Sequence, residues 1–201
     1  TADGDAQALM GVELSPELVL AAYTQGVFPM DVQGQICWFS PDPRAIIELD
    51  EFRVSRSLRQ TCRQGKFEIR INADFAEVIR GCADRKEGTW ISPAIIETYE
   101  ELHRMGFAHS VEAYRQGELA GGLYGVALGG AFFGESMFHR QRDASKVALV
   151  YLVQRLRERG FVLLDVQFLT PHLARFGAKE IPRAEYLRRL AEALRLDCQF
   201  A

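Results

Sequence analysis

No run of apolar residues in this 201-residue chain is long enough to cross a bilayer as a helix, and no secretory-leader pattern opens it. Its four cysteines, Cys37, Cys62, Cys82 and Cys198, lack the paired spacing of zinc or redox sites. They read as reduced thiols, mostly in the core, of a cytoplasmic protein. The chain also lacks a Walker loop, a His-Glu-x-x-His helix and a Gly-x-Ser-x-Gly elbow, so the familiar motif-bearing nucleotide, zinc-peptidase and serine-hydrolase sites are not in view. Positive charge is not in excess: 24 Lys and Arg against 27 Asp and Glu leave a net charge of −3. A nucleic-acid partner would therefore have to meet arginines gathered on one face. The four histidines, His103, His109, His139 and His172, are scattered over different elements and read as surface or supporting residues rather than metal ligands. No metal, no cofactor and no membrane segment is expected, and there is no internal repeat.

What is present suits a globular domain with a full core: 48% hydrophobic and 25% charged residues, enough for one large domain or one with a small appendage. Thr1 to Gln7 are small and polar and are expected to be poorly ordered. Ser15-Pro16-Glu17 opens a helix that runs to about Thr24 and stops near Gly26. Residues 26–43, with Pro29 and Pro41, read as an irregular segment around a short strand at Ile36 to Phe39. Helices are expected over Ser55 to Gln64, from Asp74 to about Cys82, and from Ser92-Pro93 to Gly106. Lys66 to Ile71 alternates as a strand. His109 to Arg115 and Leu119 to Leu128 form a hairpin about Gln116-Gly117, and Ala131 to Met137 adds a further strand. Ala144 to Arg159 is the clearest helix, leading into an apolar strand, Phe161 to Phe168, buried on both faces. Short helices near Pro171 and from Arg183 to Leu194 follow. The pattern is that of an α+β domain, a mixed sheet with packed helices.

Five stretches carry candidate chemistry. In Leu163-Leu164-Asp165-Val166-Gln167-Phe168 the two polar residues alternate with Val166, which predicts that both face one side of an otherwise apolar strand. Two readings are open: a buried polar pair that fixes the following loop, or a catalytic pair on a cavity-facing edge. The second implies that Asp165 and Gln167 can each be replaced by Ala with little loss of stability. Glu135, in Gly134-Glu135-Ser136-Met137-Phe138, would reach the same cavity if the strands before and after a helix lie side by side; Ser145 and Lys146 read as first-turn helix residues. Trp90 stands in a loop before a helix, either as core or as a surface on which a nucleobase stacks. Trp38-Phe39-Ser40-Pro41-Asp42-Pro43-Arg44 reads as a tight structural turn. Arg56, Arg59 and Arg63 lie one turn apart on one helix face, either a solvated face or a contact for a phosphate backbone.

Together these stretches resemble the leucyl/phenylalanyl-tRNA–protein transferase family of bacteria. The likeness runs in order from Leu14-Ser15-Pro16 through Gly26-Val27-Phe28-Pro29, the Trp38 to Arg44 block and Glu87-Gly88-Thr89-Trp90-Ile91. It continues through Gly134 to Phe138, Ala144-Ser145-Lys146, Asp165-Val166-Gln167 and Gly177 to Arg183, and so covers nearly the whole chain. It implies a small amino-terminal domain over residues 1–45 and, over 46–201, a catalytic domain with an acetyltransferase-like fold of the GCN5-related kind. It implies transfer of Leu or Phe from aminoacyl-tRNA to the α-amino group of proteins beginning with Arg or Lys, marking them for degradation, by a monomer. In the matching positions Asp165 and Gln167 are the catalytic pair, Glu135 holds the amino group of the transferred residue, and Trp90 stacks on the terminal adenine. Leu123, Leu149, Leu152 and Leu164 line its side-chain pocket. Met30 stands where the family usually has Trp, and Leu123 where it often has Met.

An aminoacyl ester is already activated, so holding amine and ester together suffices for large effective molarity without ATP. The attacking α-amino group, with a reference pKa of about 7.7–8.0, is partly neutral near pH 7. An apolar pocket separates neighbouring side chains by only about 1–3 kcal/mol per methylene, so Met is expected as a weaker donor. Two rivals remain at this level. An acetyl-coenzyme A-dependent N-acetyltransferase would need an Arg/Gln-x-x-Gly-x-Gly/Ala loop, which Gln116-Gly117-Glu118-Leu119-Ala120-Gly121-Gly122 does not match. A non-enzymatic binder of basic amino termini or tRNA would keep the pocket without the turnover.

Overall fold

A computed structural model describes residues 13–201, and the expectation for Thr1 to Gln7 lies outside them. Ser15 caps α1 (Pro16–Thr24), its Oγ accepting from the Leu18 amide at 3.2 Å. Two strands follow, β1 (Phe28–Val32) and β2 (Gln35–Phe39), paired antiparallel across Gln33-Gly34, both at positive φ. β1 went unread because Pro29 argues against a strand; it is tolerated in a two-stranded ribbon, where only one side of each strand is paired. Next come β3 (Arg44–Ile47), α2 (Arg56–Arg63), β4 (Glu68–Ile71), α3 (Phe75–Ala83) and α4 (Pro93–Arg104). The second half contains β5 (Ala108–Arg115), β6 (Glu118–Leu128), β7 (Ala131–His139), α5 (Ala144–Glu158) and β8 (Leu163–Gln167). The order closes with α6 (Pro171–Ala174), β9 (Lys179–Ile181) and α7 (Arg183–Ala193).

The main sheet has seven strands in the order β4-β5-β6-β7-β8-β3-β9. Every pairing is antiparallel except β7 with β8, which the crossover through α5 makes parallel. The expected α+β class with a mixed sheet is the one observed. Strands β3 and β9 were not foreseen, and β3 spans the boundary expected at residues 45 and 46.

Period-two alternation sorts the central strands between two cores. Ile46, Tyr124, Phe133 and Leu163 join the core under α1, α3, α4 and α7, while their neighbours Ile47, Leu123, Phe132 and Leu164 join the core under α5. Both faces are therefore covered, which explains why β8 reads as nearly continuous apolar sequence. Of the four free cysteines only Cys82 is buried; the other three are half-buried, a departure from the expectation of mostly core thiols.

Candidate active site

Strands β7 and β8 stay in parallel register only from Ala131 and Leu163 to Phe133 and Asp165. Beyond that point they no longer pair, and a cavity of about 420 Å³ lies between them. Gly134, Glu135, Ser136 and Met137 line it from one strand, and Val166, Gln167 and Phe168 from the other. Each strand carries a local irregularity here. In the β6–β7 ladder Tyr124 pairs with Ser136 and Gly125 with Gly134, so Glu135 is an extra, bulged residue. In the β3–β8 ladder Ala45 pairs with Gln167 and Ile46 with Asp165, which leaves Val166 unpaired. A bulge re-aims a side chain without breaking the sheet.

The re-aimed groups meet. Gln167 Nε2 donates to both carboxylate oxygens of Glu135, at 3.2 and 3.3 Å. Tyr23 of α1 donates its hydroxyl to the same carboxylate and shares a 2.6 Å hydrogen bond with the Tyr99 hydroxyl of α4. Burial pushes the Glu135 carboxyl up to about 7, against the lowering effect of the Tyr23 and Gln167 hydrogen bonds. Burial, with Glu135 second, also raises Tyr23 well above the usual phenol range.

Leu123, Leu149, Leu152 and Leu164, all nearly inaccessible to solvent, line the cavity with apolar surface, and Met30, Trp90 and, from α6, His172 and Leu173 also line it. The Asp31 amide donates to the Trp90 carbonyl at 3.1 Å, which ties the β1 strand to the tryptophan loop. Arg85 holds that loop to β7, its Nη2 donating to Ser136 Oγ at 3.1 Å and to the Met137 carbonyl at 3.2 Å.

Asp165 departs from the expectation of a cavity-facing pair. It is fully buried and does not line the cavity. Arg44 Nε and Nη2 donate to its two oxygens at 3.0 and 2.6 Å, and the Tyr186 hydroxyl donates to Oδ2 at 2.9 Å. The Gln167 amide donates to Oδ1 at 2.9 Å. Gln167 itself has φ of 66°, so the strand alternation that would have placed both side chains alike fails at its last residue. Asp165 thus meets the cavity lining only through Gln167, whose backbone amide it holds.

Arg44, read as part of a structural turn, is the buried partner. Its guanidinium lies 4.3 Å from the Tyr186 ring centroid and 4.9 Å from that of Phe28, and Nη1 donates to the Gly26 carbonyl at 2.7 Å. Burial lowers its pKa and the neighbouring Asp165 raises it, with a net rise. Sequence also left Tyr23 and Tyr186 unnoticed, because a tyrosine on an apolar helix face looks like any other core residue. Arg56, Arg59 and Arg63 are exposed on α2 and none lines the cavity.

The model of the leucyl/phenylalanyl-tRNA protein transferase family matches residues 46–191, and that of its N-terminal domain matches residues 12–42. The chain belongs to that family. A leucyl/phenylalanyl-tRNA–protein transferase of Rubrobacter xylanophilus is 61% identical over 94% of this chain and all of the relative. One from Herpetosiphon aurantiacus is 59% identical over 95% of this chain, again across the whole relative. Solved structures give looser likenesses. The C-terminal domain of a putative lysylphosphatidylglycerol synthetase from Agrobacterium fabrum has 14% identity and a TM-score of 0.48, covering 90% of this chain and 70% of that one. A GCN5-related N-acetyltransferase-like protein from Streptococcus suis has 13% identity and a TM-score of 0.39, covering 82% and 63%. Every transferase-family residue expected at the pocket, Asp165 apart, lines the one cavity between β7 and β8. Among the described residues no helix is long and apolar enough to cross a membrane.

Proposed function

We propose that the cavity holds the aminoacyl end of a charged tRNA and joins its Leu or Phe to the amino terminus of a protein beginning with Arg or Lys. The reading is carried by one observation: Glu135 and Gln167 touch each other in the wall of a cavity that four leucines also line. The donor side chain enters among Leu123, Leu149, Leu152 and Leu164, where apolar burial is worth about 25 cal/mol per Å². The α-amino group of the donor residue meets Glu135, and the terminal adenine lies on Trp90 with Met30 on its other face. Arg56, Arg59 and Arg63 meet the tRNA backbone further out. The protein acts as a monomer in the cytoplasm, and its products are marked for degradation.

Gln167 gives both its Nε2 bonds to Glu135, which leaves Oε1 to accept from the incoming amine and aim the nitrogen lone pair at the ester carbonyl. Asp165 fixes the Gln167 backbone through the 2.9 Å amide bond and so holds the carboxamide in place for the incoming amine. The new bond is the amide; the bond that breaks is the ester to the ribose, whose oxygen leaves as a hydroxyl carrying the amine's proton. No base stronger than the carboxamide is required, because the amine is partly neutral at pH 7.

The test is a single turnover with Leu- or Phe-charged tRNA and an Arg-initiated peptide. The parent should form the peptide bond, and Gln167→Ala should lose about a hundredfold or more in rate, the usual scale for a positioned polar group. Full turnover by Gln167→Ala, or coenzyme A binding in a calorimeter with no transfer from tRNA, would overturn the reading.

A further inference from the structure

The cavity opens onto basic ground that no single stretch of sequence announces. His172 of α6 lines it and also lines a groove of about 500 Å³ between α2, the start of α5 and the segment after α6. Arg53, Arg142, Lys146 and Arg175, brought together from three segments, stand around that groove. Among the described residues its lining contains one carboxylate, Asp143, which bonds Lys146 at 3.2 Å and lies 3.9 Å from Arg142. Among the described residues Arg53 and Arg175 have no ion-pair partner, and Arg142 is 95% exposed. The face that α2 and its cap turn to the groove is uncharged, with Ser57, Gln60, Thr61 and Gln64 beside a single apolar residue, Leu58, whereas Arg56, Arg59 and Arg63 do not line it. Four cations against one carboxylate are out of keeping with a net charge of −3 and make a local field that favours an anionic chain. The His172 imidazole registers that field: burial lowers its pKa, and Lys146, Arg175 and His139 lower it further.

We propose that this groove carries the phosphates of the single-stranded 3′ end of the tRNA as it leaves the cavity, with Arg53, Arg142, Lys146 and Arg175 as their partners. The proposal rests on the reading that the aminoacyl ester occupies the cavity. It adds a track distinct from the arginine stripe of α2, and assigns the adjoining basic surface to a flexible strand threaded past His172. Hydroxyl and carboxamide groups along α2 can bond sugar and phosphate oxygens without reading sequence.

The experiment measures two affinities across a salt series, one for a charged tRNA and one for an aminoacyl-adenosine analogue that has no phosphate. Arg142→Ala/Arg175→Ala should bind the tRNA about tenfold more weakly at low salt, and the slope of log affinity against log salt should fall by about 1.4, roughly 0.7 for each single-strand phosphate contact removed. Its affinity for the analogue should equal the parent's. Arg142→Lys/Arg175→Lys should keep most of the slope. An unchanged tRNA affinity and slope in the Ala variant would overturn the proposal, as would equal losses for tRNA and analogue, which would mean that these residues shape the cavity. If the parent itself fails to bind the analogue, the reading of the cavity falls instead, so the two failures are distinguishable.

Discussion

Asp165 accepts from Arg44, Tyr186 and the Gln167 amide, with no exposure to solvent. Removing one partner of such a pair strands the other charge away from water, at a cost of about 3–5 kcal/mol. Asp165→Asn and Asp165→Ala should therefore lower unfolding stability by that amount in urea titrations, contrary to the small effect expected of a residue on a cavity edge. Gln167→Gly should behave differently: it removes the carboxamide but suits the positive φ of 66°. Transfer should be lost while the variant melts at or above the temperature of Gln167→Ala. Glu135 supplies a pH signature. Its folded-state pKa of about 7 lies above the ordinary 4.5, so its ionisation favours the unfolded chain, and its contribution to stability falls as pH rises from about 4.5 to 7. Glu135→Gln abolishes that fall, so the stability difference, variant minus parent, should be larger at pH 7.5 than at pH 5. Equal differences at both pH values would place the carboxyl back in the ordinary range. At this scale the sequence marked Gln167 because a polar residue inside an apolar strand demands partners, and Glu135 because the strands before and after a helix can lie side by side. It did not reveal Arg44, whose partner stands 121 positions away.

Among elements, the β6–β7 ladder is the one whose irregularity matters most. Gly125 sits at the register shift, and a Cβ built there meets the Phe133 carbonyl oxygen and the Phe132 ring. Backbone cannot give way as a flexible side chain would. Gly125→Ala should cost about 1–3 kcal/mol in chemical denaturation, the usual scale of overpacking, and should displace Glu135 enough to reduce transfer. Helices capped by Ser15, Ser55 and Asp74 were legible because each cap is a local device, its side-chain oxygen accepting an amide three residues on. The Gln116-Gly117 hairpin was legible for the same reason. Strands β3 and β9 are too short to show alternation, and their pairing is set by distant partners. The bulges were invisible, since the extra residue in a strand is defined by what its neighbour does.

Over the whole molecule, the site is assembled from regions that two separate family models match. Tyr23 and Met30 come from residues 12–42, Arg44 lies between the two matches, and Glu135, Asp165 and Gln167 come from residues 46–191. Residues 46–201 expressed alone would leave Asp165 without Arg44 and Glu135 without Tyr23. That fragment should show no cooperative melting transition by circular dichroism, and a sharp transition near the parent's would contradict the account. The same assembly has a consequence for altering what is transferred. Leu149 and Leu152 belong to α5, which packs on β5, β6 and β7, whereas the hydrogen-bonding groups ride on the bulged ends of β7 and β8. The helical half of the proposed side-chain pocket and the hydrogen-bonding groups therefore occupy different pieces of backbone, and only Leu164 shares β8 with Gln167. A laboratory seeking to append bulkier, synthetic amino acids to protein termini can carve the helix, accepting about 2–5 kcal/mol for each Leu→Ala, and leave the reaction frame as it stands.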